Sequence, residues 1–148
     1  MFVMQIEGRK ILVLGAGRSG IASAKFLAER GGVVALHDKK DVENWSDEAK
    51  TLKGSHNVGL ISGQLPSWLL DQIDLVVISP GVPTNSIPAR YVDRKDGEVI
   101  GEVELAYRYL KGRIIGITGS NGKTTTTTLV GEILKDAGLD VLVGGNIG

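Results

Sequence analysis

The order of apolar and polar positions along the chain predicts strands that alternate with helices. Short, mostly apolar stretches at residues 10–14, 33–37 and 75–78 are typical of strands buried on both faces of a parallel sheet. Between the first two runs, residues 18–30 carry apolar side chains at helical spacing and are followed by two glycines, which commonly end a helix. This βαβ pattern predicts a doubly wound, Rossmann-like α/β sheet.

Weaker patterns complete this sheet domain. Residues 43–52 and 68–73 are interpreted as short helices, and residues 87–94 and 102–110 as two more. A short strand is predicted at residues 99–100. Helices and strands therefore continue to alternate, as expected for a parallel sheet.

A second domain is predicted to begin close to residues 111–113. We place the Rossmann-like domain at residues 1–111 and the start of another α/β domain at residues 112–148. The second begins with a predicted strand at 114–117, continues through a glycine loop into an amphipathic helix, and reaches another predicted strand at 140–143. Because one β-loop-α-β unit cannot cover both faces of its own strands, we expect this domain to be truncated.

Composition excludes several function classes. Seventeen basic residues balance 17 acidic ones, so no net charge attracts nucleic acid. The chain has no cysteine and no apolar run long enough to cross a membrane, so we expect no membrane insertion and a cytoplasmic location. We also expect a monomer, in which Trp45 and Trp68 are packing residues. The 21 glycines are an excess that favours turns with positive φ, or main chain that closely approaches a ligand.

The first glycine loop has a nucleotide-binding pattern. Gly15, Gly17 and Gly20 form G-x-G-x-x-G between the first predicted strand and the first predicted helix. The first glycine permits a tight turn, the second lets the backbone approach a diphosphate, and the third lets helix and strand pack closely. The helix N-terminus adds free N–H groups and a partial positive charge. The pattern therefore predicts a phosphate site, although a tight turn without a ligand would have the same pattern.

Residues at the end of the second predicted strand leave the identity of the nucleotide open. Asp38 favours NAD, because an acidic residue at this place accepts a hydrogen bond from a ribose hydroxyl. Lys39 and Lys40 follow directly and favour NADP or another phosphorylated ligand, unless they are simply solvated. The residues alone do not choose between these ligands.

A second glycine loop ends in the Gly-Lys-Thr of a P-loop. Its predicted ATP-binding residues are Gly119, Ser120, Asn121, Gly122, Lys123, Thr124 and Thr125. In such loops the backbone N–H groups and the lysine bind phosphates, and the threonine hydroxyl binds Mg²⁺. The pattern is a variant, because Ile117 stands where a P-loop has its first glycine. The threonine run at 124–128 is a poor helix start on propensity alone, so either a bound anion and metal or hydroxyl caps are needed to stabilise it.

Two successive nucleotide loops of different types are unusual in one chain. The chain resembles the Mur ligases of peptidoglycan synthesis, through matching segments at residues 15–20, 79–83, 102–106, 118–125 and 144–148. In that family the first domain binds no NAD and holds the UDP part of a UDP-muramoyl substrate. The resemblance therefore implies a UDP-substrate site made by Gly15, Gly17, Arg18, Ser19, Gly20, Asp38, Lys39, Lys40, Gly81 and Asn146. Family members often have Thr and Arg at the positions of Lys39 and Lys40, and at Lys39 a backbone contact would survive the change.

The resemblance also implies an ATP-dependent ligase reaction with Mg²⁺. Its substrates would be UDP-N-acetylmuramoyl-L-alanine, D-glutamate and ATP, and an acyl phosphate would form before the D-glutamate amine attacks. Lys123 would be the catalytic residue on the ATP phosphates, and Thr124 would bind the metal. The family's other metal ligands, its modified lysine and its D-glutamate-binding domain would lie beyond Gly148, so we expect no ligase activity from this chain alone. The alternatives are an NAD(P)-dependent oxidoreductase domain and a non-catalytic nucleotide-binding module.

Overall fold

A computed structural model describes residues 4–55, 57–87, 89–94 and 96–145. The chain divides into two compact units, Met1–Leu110 and Lys111–Gly148. The first contains a parallel sheet with helices, and the second contains a glycine loop and a long helix. No helix in these described ranges is long and apolar enough to cross a membrane.

The first unit is built on five parallel strands. They are β1 Lys10–Leu14, β2 Val33–Asp38, β3 Val58–Ser62, β4 Leu75–Ile78 and β5 Glu98–Gly101. Their order across the sheet is β3-β2-β1-β4-β5, so the strand order reverses between β1 and β4. Ile11, Val13 and Val76 have no exposed surface, as expected for central strands of a sheet that is covered on both faces. The predicted Rossmann-like α/β fold is confirmed.

Helices of the first unit pack on its sheet and position the loops. The first unit contains α1 Arg18–Ala28, α2 Asp47–Thr51, α3 Ser67–Leu70, α4 Ala89–Val92 and α5 Glu102–Tyr109, and the second unit contains α6 Lys123–Asp136. α1 packs Ile21, Ala24 and Leu27 into the core, because these positions recur on one face of the helix. Gly31 then turns the chain into β2 with a left-handed φ of 81°.

β3 is a strand that the local pattern of apolar residues does not predict. It pairs in parallel with β2, with Val34 in register with Val58 and Asp38 in register with Ser62. Gly59 interrupts its apolar run, and only Val58 is fully buried, because β3 lies at the edge of the sheet. Pairing with a distant strand, rather than a local pattern, places this element.

The predicted helix at 43–52 is shorter in the structure. Two 3₁₀ turns, Val42–Asn44 and Leu52–Gly54, flank α2. α2 begins after Ser46, whose hydroxyl accepts a hydrogen bond from the Ala49 N–H at 3.3 Å. This local cap decides where the helix starts.

The two tryptophans have different environments. Trp45 is buried in the core, as predicted, and its indole N–H donates to the Lys40 carbonyl at 2.7 Å. The prediction that Trp68 is a packing residue is wrong, because its side chain is 61% exposed. Trp68 lies on α3, a single turn that buries Leu70 instead.

The second unit differs from the prediction in its strands. Residues 114–117 and 140–143 form no strand in the described part of the chain, and their apolar side chains include the exposed Ile115 and Leu142. A parallel strand is stabilised by hydrogen bonds to a neighbouring strand, and no described segment of this unit pairs with either run. The strand predictions are therefore wrong for these residues, whereas the predicted helix forms as α6.

An ion cluster lies at the amino ends of the strands of the first unit. The Glu98 carboxylate accepts hydrogen bonds from Arg9 at 3.1 Å and from Arg108. Burial alone would raise the pKa of the Glu98 carboxyl, but the hydrogen bonds from Arg108 and Arg9 hold that pKa below its ordinary value. The carboxylate thereby links β5 to the residue before β1 and to α5.

We expect Glu98→Gln to lower the free energy of unfolding at pH 7 by about 1 kcal/mol, a modest loss because the cluster is partly solvated. The lowered pKa means that the contribution of Glu98 is complete above the unfolded pKa and is lost as the pH falls through the folded pKa. In urea unfolding, the difference between wild type and variant should therefore shrink in acid. The control is Glu104→Gln, because the Glu104 carboxylate also pairs with Arg108 but is exposed. An equal loss of stability in Glu104→Gln would contradict the prediction.

Candidate functional site

The strand order places the first glycine loop where a ligand is expected to bind. In open parallel sheets, ligands bind outside the carboxyl ends of the strands, at the point where the strand order reverses. Here those strands are β1 and β4. The loops that follow them start side by side, because the Ser79 N–H donates to the Leu14 carbonyl at 3.0 Å. The candidate site lies at this edge of the first unit.

Close packing shapes the glycine turn itself. Gly15 adopts a φ of 105°, and its N–H donates to the His37 carbonyl at 2.8 Å. A Cβ on Gly15 would lie 3.0 Å from Ser79 Oγ and from the Val82 side chain. A Cβ on Gly20 would lie only 1.9 Å from the Gly15 carbonyl oxygen. A side chain at Gly20 would therefore clash with the backbone, and one at Gly15 would crowd Ser79 and Val82 and strain the positive φ.

Gly17, in contrast, faces open space. No atom lies within 4 Å of the place that a Cβ would take there, and Gly17 is the N-cap of α1 without a side-chain cap. Arg18 and Ser19 follow and are exposed, and the first turn of α1 carries no acidic residue. The first-turn N–H groups and the positive end of the helix dipole are therefore available to an anion.

Asp38 lies at the end of β2 and holds two backbone segments. Its carboxylate accepts a hydrogen bond from the Ala16 N–H at 3.0 Å and another from the Lys40 N–H at 3.0 Å. Burial alone would raise the pKa of the Asp38 carboxyl, but these backbone hydrogen bonds and the nearby Lys40 ammonium lower it. Asp38 is therefore a charged acceptor that joins the glycine turn to the loop after β2.

The remaining predicted residues of this site have distinct environments. The side chains of Lys39 and Lys40 are exposed, but the Lys40 backbone is fixed because its N–H bonds to Asp38 and its carbonyl accepts from Trp45. Gly81 is exposed, with open space where a side chain would be. Asn146 lies outside the described residues.

Two further residues belong to this edge of the sheet, although the sequence analysis gives them no role. The Ser79 hydroxyl donates to a Glu102 carboxylate oxygen at 2.5 Å. Ser79 follows β4 directly and Glu102 follows β5 directly. In the sequence, each of these two residues comes just after a predicted strand. This position indicates a place at the ligand-binding edge, because the carboxyl ends of parallel strands meet there.

The second glycine loop is formed within the second unit. Gly119 and Gly122 adopt positive φ values of 150° and 74°, and Gly122 is the N-cap of α6. The Lys123 ammonium donates to the Gly119 carbonyl at 2.5 Å and to the Ser120 carbonyl at 3.2 Å. The cation therefore lies against its own loop, at the amino end of α6.

The start of α6 is exposed around the other predicted ATP-binding residues. Ser120, Asn121, Thr124 and Thr125 all have exposed side chains. Neither a side-chain cap nor an acidic residue is present in the first turn of α6. Among the described residues, no threonine hydroxyl caps the start of α6. The structure therefore does not support hydroxyl caps as the reason for the threonine run.

Comparison with known proteins identifies the family. A family model described as Mur ligase MurD-like, N-terminal domain, matches residues 9–101. A UDP-N-acetylmuramoylalanine–D-glutamate ligase from Caldicellulosiruptor bescii is 47% identical over 98% of this chain and 32% of its own length. The protein of the same name from Pelotomaculum thermopropionicum is 49% identical over 95% of this chain and 30% of its own length. The chain thus spans about a third of the length of these curated relatives.

A solved structure is also similar over most of the chain. The pseudomurein peptide ligase type C from Methanothermus fervidus is 31% identical, with a TM-score of 0.55, over 95% of this chain and 29% of that chain. This structure and the curated relatives are all named as ligases. Since the family model covers more than half of the sequence, the chain belongs to the MurD-like Mur ligases, and residues 9–101 correspond to their N-terminal domain.

Proposed function

We propose that the first unit binds the UDP portion of UDP-N-acetylmuramoyl-L-alanine. The observation that carries this proposal is the open helix start at Gly17, beside a turn where a side chain would clash at Gly20 and be strained at Gly15. The N–H groups of Arg18 and Ser19 would bind the diphosphate there. The names of the curated relatives support UDP as the nucleotide, because they specify a UDP-linked substrate.

The uracil would lie at the end of β2. Asp38 retains lone pairs beyond its two backbone hydrogen bonds, so it would accept a hydrogen bond from the base. Lys40 already uses its N–H and its carbonyl within the loop, so a backbone contact with the base would come from Lys39. Gly81 would lie near the diphosphate, because its exposed backbone leaves open space beside the glycine turn.

The loop of the second unit would bind the phosphates of ATP. Lys123 would exchange its loop carbonyl partners for phosphate oxygens, while the backbone N–H groups of 119–125 surround them. Thr124 supplies one exposed hydroxyl, which fits Mg²⁺ because this ion keeps several water and phosphate ligands. When bound, Mg²⁺ offsets the repulsion between the triphosphate and an approaching carboxylate.

Together these two sites fit the ligase reaction for which the relatives are named. The alanyl carboxylate would take the γ-phosphoryl group of ATP, with release of ADP. The D-glutamate amine would then attack the acyl carbon, which forms the amide bond, loses the amine proton and releases phosphate. The reaction would take place in the cytoplasm, where ATP is available. Because the chain spans about a third of its relatives, we expect no phosphate release that depends on both ATP and D-glutamate from this chain alone. Such release in a phosphate assay would overturn that part of the proposal.

Parallel calorimetric titrations with UDP, UDP-N-acetylmuramoyl-L-alanine and NADH test the assignment of the first site. We expect the two uridine nucleotides to bind and NADH to bind more weakly than either. Tighter binding of NADH would overturn the proposal and favour the oxidoreductase alternative, which rests on the same glycine pattern and Asp38. Absence of binding by both uridine nucleotides would also overturn it.

Lys123→Gln tests the assignment of the second site. We expect affinity for ATP to fall by about tenfold or more, because a charged donor to the phosphates is lost, while affinity for UDP stays unchanged. The control is Lys135→Gln in the last turn of the same helix, where the lysine pairs with Glu132 at 3.0 Å. Equal ATP affinities for the two variants, measured by calorimetry, would contradict the assignment.

A further inference from the structure

The hydrogen bond between Ser79 and Glu102 has no part in the function proposed so far. It joins the loop after β4 to the first residue of α5, with 2.5 Å between the two oxygens. Ser79 is only 7% exposed, and Glu102 is partly buried. A carboxylate next to a phosphate site disfavours an anionic ligand by charge repulsion. If the glycine turn binds a phosphate, the Glu102 carboxylate must contribute a favourable interaction that exceeds this repulsion.

The contacts of Ser79 indicate that role. Its Oγ lies 3.0 Å from the places that a Cβ would take on Gly15 and on Gly20, so the side chain is packed against both ends of the glycine turn. The single hydroxyl proton of Ser79 is donated to Glu102, which leaves none for a phosphate. Ser79 therefore supports the turn from behind, and Glu102 fixes the orientation of its side chain.

We propose that Glu102 is a positioning residue for the phosphate site, holding the glycine turn in its binding conformation through Ser79. This inference rests on the proposed binding of UDP at that turn. Loss of the carboxylate would free the Ser79 side chain to rotate and would loosen the turn that it supports. If Glu102 acted only through its repulsive charge, its removal would raise the affinity for UDP. If Glu102 positions the turn, its removal lowers that affinity.

The experiment compares Glu102→Ala, Glu102→Gln and Glu104→Ala in the 148-residue chain. Glu104 is the matched control, because it lies in the same first turn of α5 but is exposed and bonds to Arg108. UDP affinity is measured by calorimetry at a temperature where all variants are folded. We expect about a tenfold loss for Glu102→Ala, recovery to within about threefold of wild type for Glu102→Gln, which keeps an acceptor oxygen, and no loss for Glu104→Ala.

A second measurement does not depend on the nucleotide. Hydrogen exchange of the Gly15 amide, which donates to His37, should speed up by about tenfold in Glu102→Ala and stay unchanged in Glu104→Ala. UDP affinity in Glu102→Ala equal to or higher than that of wild type would overturn the inference, even if the melting temperature fell. If the wild-type chain does not bind UDP, the proposed function fails. Independently of UDP, an unchanged rate of hydrogen exchange at the Gly15 amide in Glu102→Ala would overturn the positioning role.

Discussion

Gly20→Ala is expected to destabilise the first unit by about 3 kcal/mol or more and to abolish UDP binding. The added Cβ would lie 1.9 Å from the Gly15 carbonyl oxygen, a backbone atom that cannot rotate away. Relief of this clash would require α1 to move away from β1, which would separate the helix start from the turn. Urea unfolding gives the loss of stability, and calorimetry at low temperature gives the loss of UDP binding.

The matched control for Gly20→Ala is Gly17→Ala, which adds the same methyl group three residues earlier. No atom lies within 4 Å of that position, and the φ of −79° is accessible to alanine. We expect stability to fall by less than about 1 kcal/mol, the usual difference between glycine and alanine at an N-cap. UDP affinity should still fall, because the methyl group would enter the space proposed for the diphosphate. If both variants were equally stable, the close packing inferred at Gly20 would be wrong.

Asp38→Ala is expected to lower the free energy of unfolding at pH 7 by about 2 kcal/mol, because the Ala16 and Lys40 N–H groups lose a charged acceptor. UDP affinity should fall as well, since the same carboxylate joins the glycine turn to the loop proposed to bind the base. Urea unfolding and calorimetry measure the two effects.

The pH dependence of this variant follows from the lowered pKa of Asp38. A carboxyl whose folded pKa is lowered stabilises the fold fully above its unfolded pKa, about 4 for aspartate, and loses that contribution as the pH falls through the folded pKa. The stability difference between wild type and Asp38→Ala should therefore be constant near neutral pH and shrink below about pH 4. Asp41→Ala is the control, because Asp41 is exposed and its side chain caps no helix. A pH-independent difference for Asp38→Ala, or an equal loss for Asp41→Ala, would contradict this account.

Much of the fold could be predicted because it depends on local patterns. β4 and all of β1 after Lys10 are continuous apolar runs, and the structure places both strands at the predicted residues. α1 follows from apolar residues at helical spacing, and the turn before it follows from its glycines, of which Gly15 and Gly20 are sterically required. Burial on both faces and tight turns select residue types at the positions themselves, so the sequence records them.

The tertiary structure alone decided how distant segments meet. β3 exists because it pairs with β2, whereas the apolar runs at 114–117 and 140–143 have no neighbour to pair with in the described second unit. Asp38 meets Ala16, and Ser79 meets Glu102, only because the sheet brings the ends of separate strands to one edge. The local sequence does not specify such contacts, since strand pairing and side-chain hydrogen bonds depend on groups that the fold supplies from elsewhere in the chain.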